Sequence, residues 1–197
     1  MNSKIMMFFQ FMYKYFLTSF YFWLNLVKGL FVYSLIPAIC ALYLVLRDIN
    51  SGADDEQNIT VKELYNIYFA RYKNYKFVSF SFMISLILCY TCLYFLNKVV
   101  GEVFLLPIIL VIYLLLMTLL ILIYFTVYIT FKGMDTKNGM IHGFLSVFKY
   151  PVNTIAIIVI IVFLYLSIGL NFAFFVAFGP FLMGLGILLS LYKLIQH

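Results

Sequence analysis

Charged side chains are scarce in this chain. Only 10% of its 197 residues are Asp, Glu, Lys or Arg, whereas a soluble domain usually carries about a quarter. Hydrophobic residues make up 66%, and the mean hydropathy is +1.09. A chain so poor in charge cannot cover its apolar surface in water, so an ordinary soluble protein is excluded. No segment is long and polar enough to form a separate soluble domain.

The residues of metal and redox chemistry are also few. His142 and His197 stand at no spacing that pairs them with other metal ligands. Cys89 and Cys92 form a C-x-x-C pattern, but no basic residue lies nearby in sequence to lower a thiol pKa, so we interpret them as packing residues. Residues 54–56 form an acidic turn that we interpret as solvated. We therefore predict no enzyme, no cofactor and no metal site, with a membrane thiol oxidoreductase as a remote alternative.

Long apolar runs dominate what remains, and they reach the length of about 20 residues that a helix needs to cross a bilayer. The predicted transmembrane helices cover residues 29–46, 77–97, 104–131, 152–169 and 172–194. The chain is thus predicted to be an all-α membrane protein, a polytopic bundle of about five transmembrane helices in a single membrane domain over residues 1–197. Pro37 lies inside the first span and predicts a kink there.

Residues 5–28 form an amphipathic N-terminal helix with one narrow polar stripe. The stripe recurs at steps of three and four residues and consists of Gln10, Lys14, Thr18, Tyr21, Asn25 and Lys28. We favour a helix that lies in the membrane interface with this stripe toward water. The alternative is a helix that stands upright with the stripe against other helices, which would give six crossings.

Two further amphipathic helices are predicted at the interface on the cytoplasmic side, over residues 60–76 and 136–149. Thr60 and Glu63 form a capping-box pattern at the start of the first. Its apolar face contains Val61, Leu64, Tyr65, Tyr68, Tyr72 and Tyr75. The apolar face of the second contains Ile141, Phe144, Leu145 and Phe148. Each helix precedes two predicted crossings, so the same plan occurs twice along the chain.

The distribution of basic residues predicts the orientation. With five crossings, one side holds Lys4, Lys14, Lys28 and Lys98. The other side holds Arg47, Lys62, Arg71, Lys73, Lys76, Lys132, Lys137, Lys149 and Lys193. The second side is therefore predicted to be cytoplasmic, together with the C-terminus. If residues 5–28 span the membrane, both ends of the chain lie inside.

Several residues are candidates for function within or beside the bundle. Asn25 and Lys28 are polar groups near the membrane interior, where such groups are costly. Pro37, Gly179 and Pro180 mark breaks that serve packing or a transport hinge. A basic rim that faces lipid or a partner contains Arg71, Lys73, Lys76, Lys132 and Lys149. We therefore interpret the net charge of +6 as a sign of contact with membrane lipids and not of nucleic-acid binding.

The order of these features resembles one known family. Residues 25–47 begin with Asn25 and Leu26, pass through Ser34-Leu-Ile-Pro37 and close on Leu46 and Arg47, and residues 68–76 read Tyr-Phe-Ala-Arg-Tyr-Lys-Asn-Tyr-Lys. Both stretches are similar to the signature regions of the YesL-like bacterial membrane proteins, a domain of unknown function. Lys28 departs from the family pattern, where an apolar or aromatic residue is usual.

The resemblance implies a non-enzymatic cell-membrane protein that is an accessory or regulatory component in carbohydrate uptake or sensing. It also implies a partner, a carbohydrate ABC transporter or a sensor kinase. The residues themselves leave a small-solute transporter or channel, and a homo-oligomer, as open alternatives.

Overall fold

The computed structural model describes residues 3–52, 59–98 and 105–196. Within these ranges the chain is all-helical, with nine α-helices and a short 3-10 turn at Lys73–Tyr75. The helices are α1 Ser3–Lys28, α2 Leu35–Ser51, α3 Val61–Arg71, α4 Lys76–Lys98, α5 Leu105–Phe131, α6 Thr136–Lys149, α7 Pro151–Leu170, α8 Phe172–Ser190 and α9 Tyr192–Gln196.

Four of these helices are long and apolar enough to cross a membrane. They are α4 with its preceding 3-10 turn, α5, α7 and α8. Their outer faces carry large exposed apolar side chains, such as Phe77 at 81%, Leu106 at 76% and Leu170 at 87%. Surface of this kind is stable against hydrocarbon and not against water. The all-helical prediction is confirmed, and the four helices indicate a multi-pass membrane protein.

The first predicted span, residues 29–46, differs from the helix that forms. Residues 29–34 are a turn, and α2 begins at Leu35 and continues past Arg47 and Asp48 to Ser51. Pro37 is the third residue of α2, where its missing N–H costs no intrahelical hydrogen bond, so the predicted mid-span break is wrong. Helix α2 is buried on nearly all sides and contacts α1, α3, α4, α5 and α8.

Helices α1 and α2 form an antiparallel hairpin. The Tyr15 hydroxyl donates to Asn50 Oδ1 at 2.6 Å, and near the turn the Ser34 hydroxyl donates to the Leu26 carbonyl at 3.0 Å. Thr18 and Asn25, in the middle of the polar stripe, are 0% and 4% exposed. The middle of the stripe therefore faces the bundle, as the upright alternative expects, while Gln10 and Lys28 at its two ends are exposed.

Helix α1 also supplies the hydrogen bonds that Pro180 removes from α8. Proline at position 180 leaves the carbonyl of residue 176 without its usual helical donor. The Trp23 indole N–H donates to the Val176 carbonyl at 2.9 Å, and the Phe181 N–H donates to the Ser19 hydroxyl at 3.2 Å. The break in α8 thus serves as the docking site of α1.

The predicted interfacial helices pack on the bundle. Predicted residues 60–76 form α3, which ends at Arg71 before the 3-10 turn, and the capping box between Thr60 and Glu63 is present. The apolar face of α3 is covered by protein and not by lipid, because Val61, Leu64 and Tyr65 are buried and α3 packs on α2 and α1.

Helix α6 packs on the protein with the face opposite to its predicted apolar face. Its predicted apolar face is exposed, with Ile141 at 47% and Phe148 at 59%, so this face is free to contact lipid. The buried side is made of small residues. A Cβ added at Gly139 would stand 3.1 Å from the Phe125 ring, and one at Gly143 would stand 3.2 Å from the Phe125 backbone nitrogen. Glycine at both positions allows α5 and α6 to approach closely.

The bundle has two opposite ends, at which the helices begin or stop. The Arg47 guanidinium lies 5.9 Å from the centre of the Phe131 ring, and Lys132, Tyr150 and Lys193 line one cavity. We call this end, with Arg47, Lys132, Tyr150 and Lys193, the basic end. Lys98 and the turn between α7 and α8 lie at the opposite end.

The predicted grouping of Lys14 and Lys28 with Lys98 is wrong. Tyr15, next to Lys14, is hydrogen-bonded to Asn50, and Lys28 lines a cavity with Lys73 and Lys76. The prediction separated Lys28 from Lys73 and Lys76 because it took residues 29–46 as a complete crossing, whereas residues 29–34 form a turn that lies beside the start of α4.

Candidate functional site

Three lysines from two distant parts of the chain line one cavity of about 230 Å³. Lys28 ends α1, Lys73 lies in the 3-10 turn, and Lys76 begins α4. The rest of the lining is Asn25, Gly29, Tyr33, Ser34, Pro37 and Phe69. A neighbouring cavity of about 360 Å³ shares Lys28, Gly29, Tyr33 and Lys76 and adds Leu30 and Phe77. We call the two together the lysine pocket.

The turn at residues 29–34 shapes this pocket, and its backbone is strained. Leu30 and Phe31 have φ values of 55° and 59°, in the left-handed region that costs a bulky residue about 1–3 kcal/mol. Gly29 is required by space, since a Cβ there would lie 2.3 Å from the Ser34 Cβ. Strain of this kind persists only where surrounding contacts hold it.

A serine on α4 holds the turn in place. The Ser79 hydroxyl donates to the Val32 carbonyl at 2.8 Å and accepts the Ile36 N–H at 3.4 Å. The second contact satisfies one of the free donors in the first turn of α2, where the Ser34 side chain makes no capping bond. Ser79 thus fixes the start of α4 against the hairpin, which brings Lys76 beside Lys28.

Asn25 forms the closed side of the pocket. Its side chain is 4% exposed, and its amide nitrogen donates to the Tyr21 carbonyl at 2.9 Å in the preceding turn of α1. Its backbone carbonyl accepts the Gly29 N–H at 3.2 Å, which closes the helix at the pocket. The amide is therefore fixed by its own helix while it lines the cavity.

No carboxylate of the described residues balances the three ammonium groups. Asp48 pairs with Arg47 at 3.0 Å and accepts from Tyr68, and Asp135 accepts from Asn138 at 2.6 Å. Glu63 accepts the Thr60 N–H at 3.1 Å. The three lysine side chains are exposed. The arrangement can bind an anion.

The other basic-rim residues lie elsewhere. The Arg71 guanidinium stands 5.7 Å from the centre of the Tyr68 ring. Lys132 lines a second cavity, of about 430 Å³, with His142 and Lys193. Lys149 Nζ lies 5.5 Å from the centre of the Tyr150 ring. Of the predicted rim, Lys73 and Lys76 therefore line one cavity and Lys132 lines another, and neither lining includes Arg71 or Lys149.

Gly179 and Pro180 line an apolar cavity of about 300 Å³ inside the bundle. Its wall includes Leu26, Ile39 and Met183, and the residues that line it are all apolar side chains or glycine. Nothing in this lining could bind a polar solute or a metal ion.

Redox and metal chemistry have no support in the described ranges. Cys40 is buried in α2, while Cys92 is exposed and Cys89 half-buried on α4, and all three are free thiols. No three His, Cys, Asp or Glu side chains of residues 3–52, 59–98 and 105–196 are grouped as a metal site. His142 packs with its ring centre 5.7 Å from that of Tyr128. His197 and the acidic turn at residues 54–56 lie outside the described residues.

Sequence reasoning missed Tyr33, Ser34 and Ser79 as parts of this site. Ser79 contacts residues 43 and 47 positions away in sequence, and no local pattern announces a contact over that distance. The run Ser34-Leu-Ile-Pro37 was visible as part of a resemblance, but its role as the end of a hairpin turn was not.

In comparisons with known proteins, no family model, no curated protein and no solved structure matches the chain.

Proposed function

We propose that the protein is a multi-pass cell-membrane protein that acts as a non-enzymatic accessory or regulatory component, and not as a conduit for solutes. The observation that carries this proposal is the apolar interior of the described bundle. The largest side chains that are fully buried are Tyr, Phe, Ile and Leu, and the cavity between the helices is walled by apolar groups and glycine. A path for ions or sugars needs polar groups along its wall.

Several buried polar side chains support the same conclusion, because their hydrogen bonds hold the helices together. The Thr126 hydroxyl donates to the Ile123 carbonyl at 2.8 Å, and the Ser167 hydroxyl to the Phe163 carbonyl at 2.8 Å. Ser146 and Tyr128 are hydrogen-bonded at 2.6 Å across α5 and α6. Groups bonded within and between helices in this way act as packing contacts.

The orientation and the partner follow from the charges and from the resemblance. The basic end is cytoplasmic under the positive-inside rule, which places the C-terminus inside. Helices α1 and α2 form a hairpin that packs on the four long crossings. A YesL-like protein with this arrangement would dock on a carbohydrate ABC transporter or a sensor kinase in the same membrane.

Reconstitution and capture together test the proposal. Purified protein in sealed liposomes should give no uptake of labelled monosaccharides, disaccharides or monovalent ions above protein-free liposomes. Cross-linking in native membranes, followed by mass spectrometry, should identify a transporter or kinase subunit. Saturable uptake by the pure protein would instead establish the small-solute transporter, and would overturn the accessory role.

A further inference from the structure

We propose that the lysine pocket binds the phosphate group of an anionic membrane phospholipid, with the acyl chains lying outward along α4. This site is independent of the accessory role, because it concerns what occupies the pocket and not which protein docks on the bundle.

The charge of the pocket favours an anion. Lys28, Lys73 and Lys76 line a single cavity, and no described carboxylate lies in its wall. Like charges that converge repel one another, and an anion placed among them removes that repulsion. Lysine binds phosphate well as a compact point charge with three donors. Tyr33 lines both cavities as well.

The apolar half of the pocket favours a lipid over a soluble anion. Leu30 and Phe77 line the cavity that shares Lys28 and Lys76, and their side chains are 74% and 81% exposed. A soluble phosphate would gain nothing from these two side chains. An amphiphile places its phosphate on the lysines and its hydrocarbon on Leu30 and Phe77.

The apolar surface continues beyond the pocket. The rings of Tyr33 and Phe80 are stacked with centres 5.3 Å apart, and Phe80 is one turn further along α4 than Phe77. Lys73 begins the candidate span that ends at Lys98, so the pocket lies where the helix enters the membrane. Phospholipid headgroups occupy that level of a bilayer.

The second basic cavity supplies a matched control. It contains Lys132 and Lys193, and Lys149 is nearby in the basic end. The lining of this cavity contains one leucine, Leu194, which is only 9% exposed. It therefore lacks an exposed apolar side chain comparable to Leu30 or Phe77. Replacement of Lys132, Lys149 and Lys193 by Gln lowers the net charge by as much as replacement of the three pocket lysines does.

Lipid titration with detection by native mass spectrometry tests the proposal. The protein in neutral detergent is titrated with phosphatidylglycerol and, separately, with phosphatidylcholine. The triple variant Lys28→Gln, Lys73→Gln, Lys76→Gln should bind phosphatidylglycerol roughly 100-fold more weakly, at about fivefold per lysine. The control variant Lys132→Gln, Lys149→Gln, Lys193→Gln should lose less than about fivefold, because it keeps the pocket.

Two further arms identify the source of the phosphate. The double variant Leu30→Ser, Phe77→Ser keeps the charges and should weaken phosphatidylglycerol but not inorganic phosphate. The triple variant Lys28→Arg, Lys73→Arg, Lys76→Arg should retain binding, which shows that a loss in the Gln variant is one of charge and not of folding.

Three outcomes would overturn the inference. Equal losses in the pocket and control variants would mean diffuse attraction by the whole basic end. Inorganic phosphate that displaces phosphatidylglycerol at equal concentration would make the site one for a soluble anion. Equal affinity for phosphatidylcholine would mean that the lysines do not recognise net charge.

Discussion

At the scale of single residues, Trp23 and Pro180 depend on each other. Pro180 frees the Val176 carbonyl within α8, and the Trp23 indole is the donor that satisfies it, at 2.9 Å. Nearer the start of α1, the rings of Tyr15 and Phe181 are stacked with their centres 5.1 Å apart, and this contact also holds α1 against α8. A proline inside a membrane helix is tolerated when a neighbour satisfies the freed group in this manner.

We predict that Trp23→Phe lowers the free energy of unfolding by about 1–3 kcal/mol, because it leaves the Val176 carbonyl without a donor. In a Pro180→Ala background the same change should cost clearly less, since an alanine at this position supplies a helical N–H to that carbonyl. Denaturant unfolding of the four proteins in detergent micelles measures this double-mutant cycle. Costs that simply add would show that the two residues are not coupled.

At the scale of helices, the contact between α5 and α6 depends on the absence of a side chain. A Cβ at Gly143 would meet backbone atoms of α5, 3.2 Å from the Phe125 nitrogen and 3.3 Å from the Ile121 oxygen. Backbone cannot move aside as a flexible side chain can, so the two helices would have to separate.

We therefore expect Gly143→Ala to lower the free energy of unfolding by about 1–3 kcal/mol through overpacking. Gly169→Ala is the matched control, because a Cβ there meets nothing within 4 Å and alanine favours a helix over glycine. Thermal unfolding in the same micelles should give a lower midpoint for the first variant and an unchanged or higher one for the second. A reversed order would contradict the packing.

Helix α3 begins with a capping box that depends on pH. The Thr60 backbone N–H and hydroxyl both donate to the Glu63 carboxylate, at 3.1 and 2.9 Å, and these bonds lower the pKa of Glu63 below its ordinary value. A lowered pKa means that the stabilisation is present above the unfolded pKa of about 4.3 and is lost as the pH falls through the folded pKa.

The start of α3 should accordingly stay intact at pH 5 to 7 and loosen in more acid solution. Glu63→Gln should reduce this acid dependence, because the amide keeps an acceptor oxygen but does not titrate. Circular dichroism melts between pH 3 and 7 compare the two proteins. An acid transition of equal size in both would assign it to another group.

The sequence predicted where the helices form better than it predicted how they pack against one another. Periodicity identified the stripe through Thr18 and Asn25, and the capping pattern at Thr60 placed the start of α3. The stripe did not reveal what covers it, because the Thr18 hydroxyl and the Asn25 amide donate to carbonyls of α1 itself and can therefore face either water or protein. For α6, the apolar pattern suggested the face of Phe144 and Phe148, while close packing uses the glycines, which carry no hydrophobic signal.

At the scale of the whole molecule, the N-terminal hairpin decides the charge distribution. Because α1 runs back along α2, Tyr15, the neighbour of Lys14, bonds to Asn50, and Lys28 joins Lys73 and Lys76. Lys98 then remains at the opposite end. The asymmetry is stronger than the one that five crossings give, and it supports a cytoplasmic basic end.

The central claim is that α1 and α2 form a hairpin whose two outer ends lie at the basic end, and that the turn of this hairpin brings Lys28 to the start of α4. Cysteine labelling in sealed vesicles tests it most directly, in a background with Cys40→Ala, Cys89→Ala and Cys92→Ala. The account predicts that Ser3→Cys, Ser51→Cys and Asn138→Cys react with a membrane-impermeant maleimide only from the cytoplasmic side, and that Asn97→Cys and Asn171→Cys react only from outside. Reaction of Ser3→Cys from the same side as Asn97→Cys would contradict the hairpin, and the lysine pocket with it.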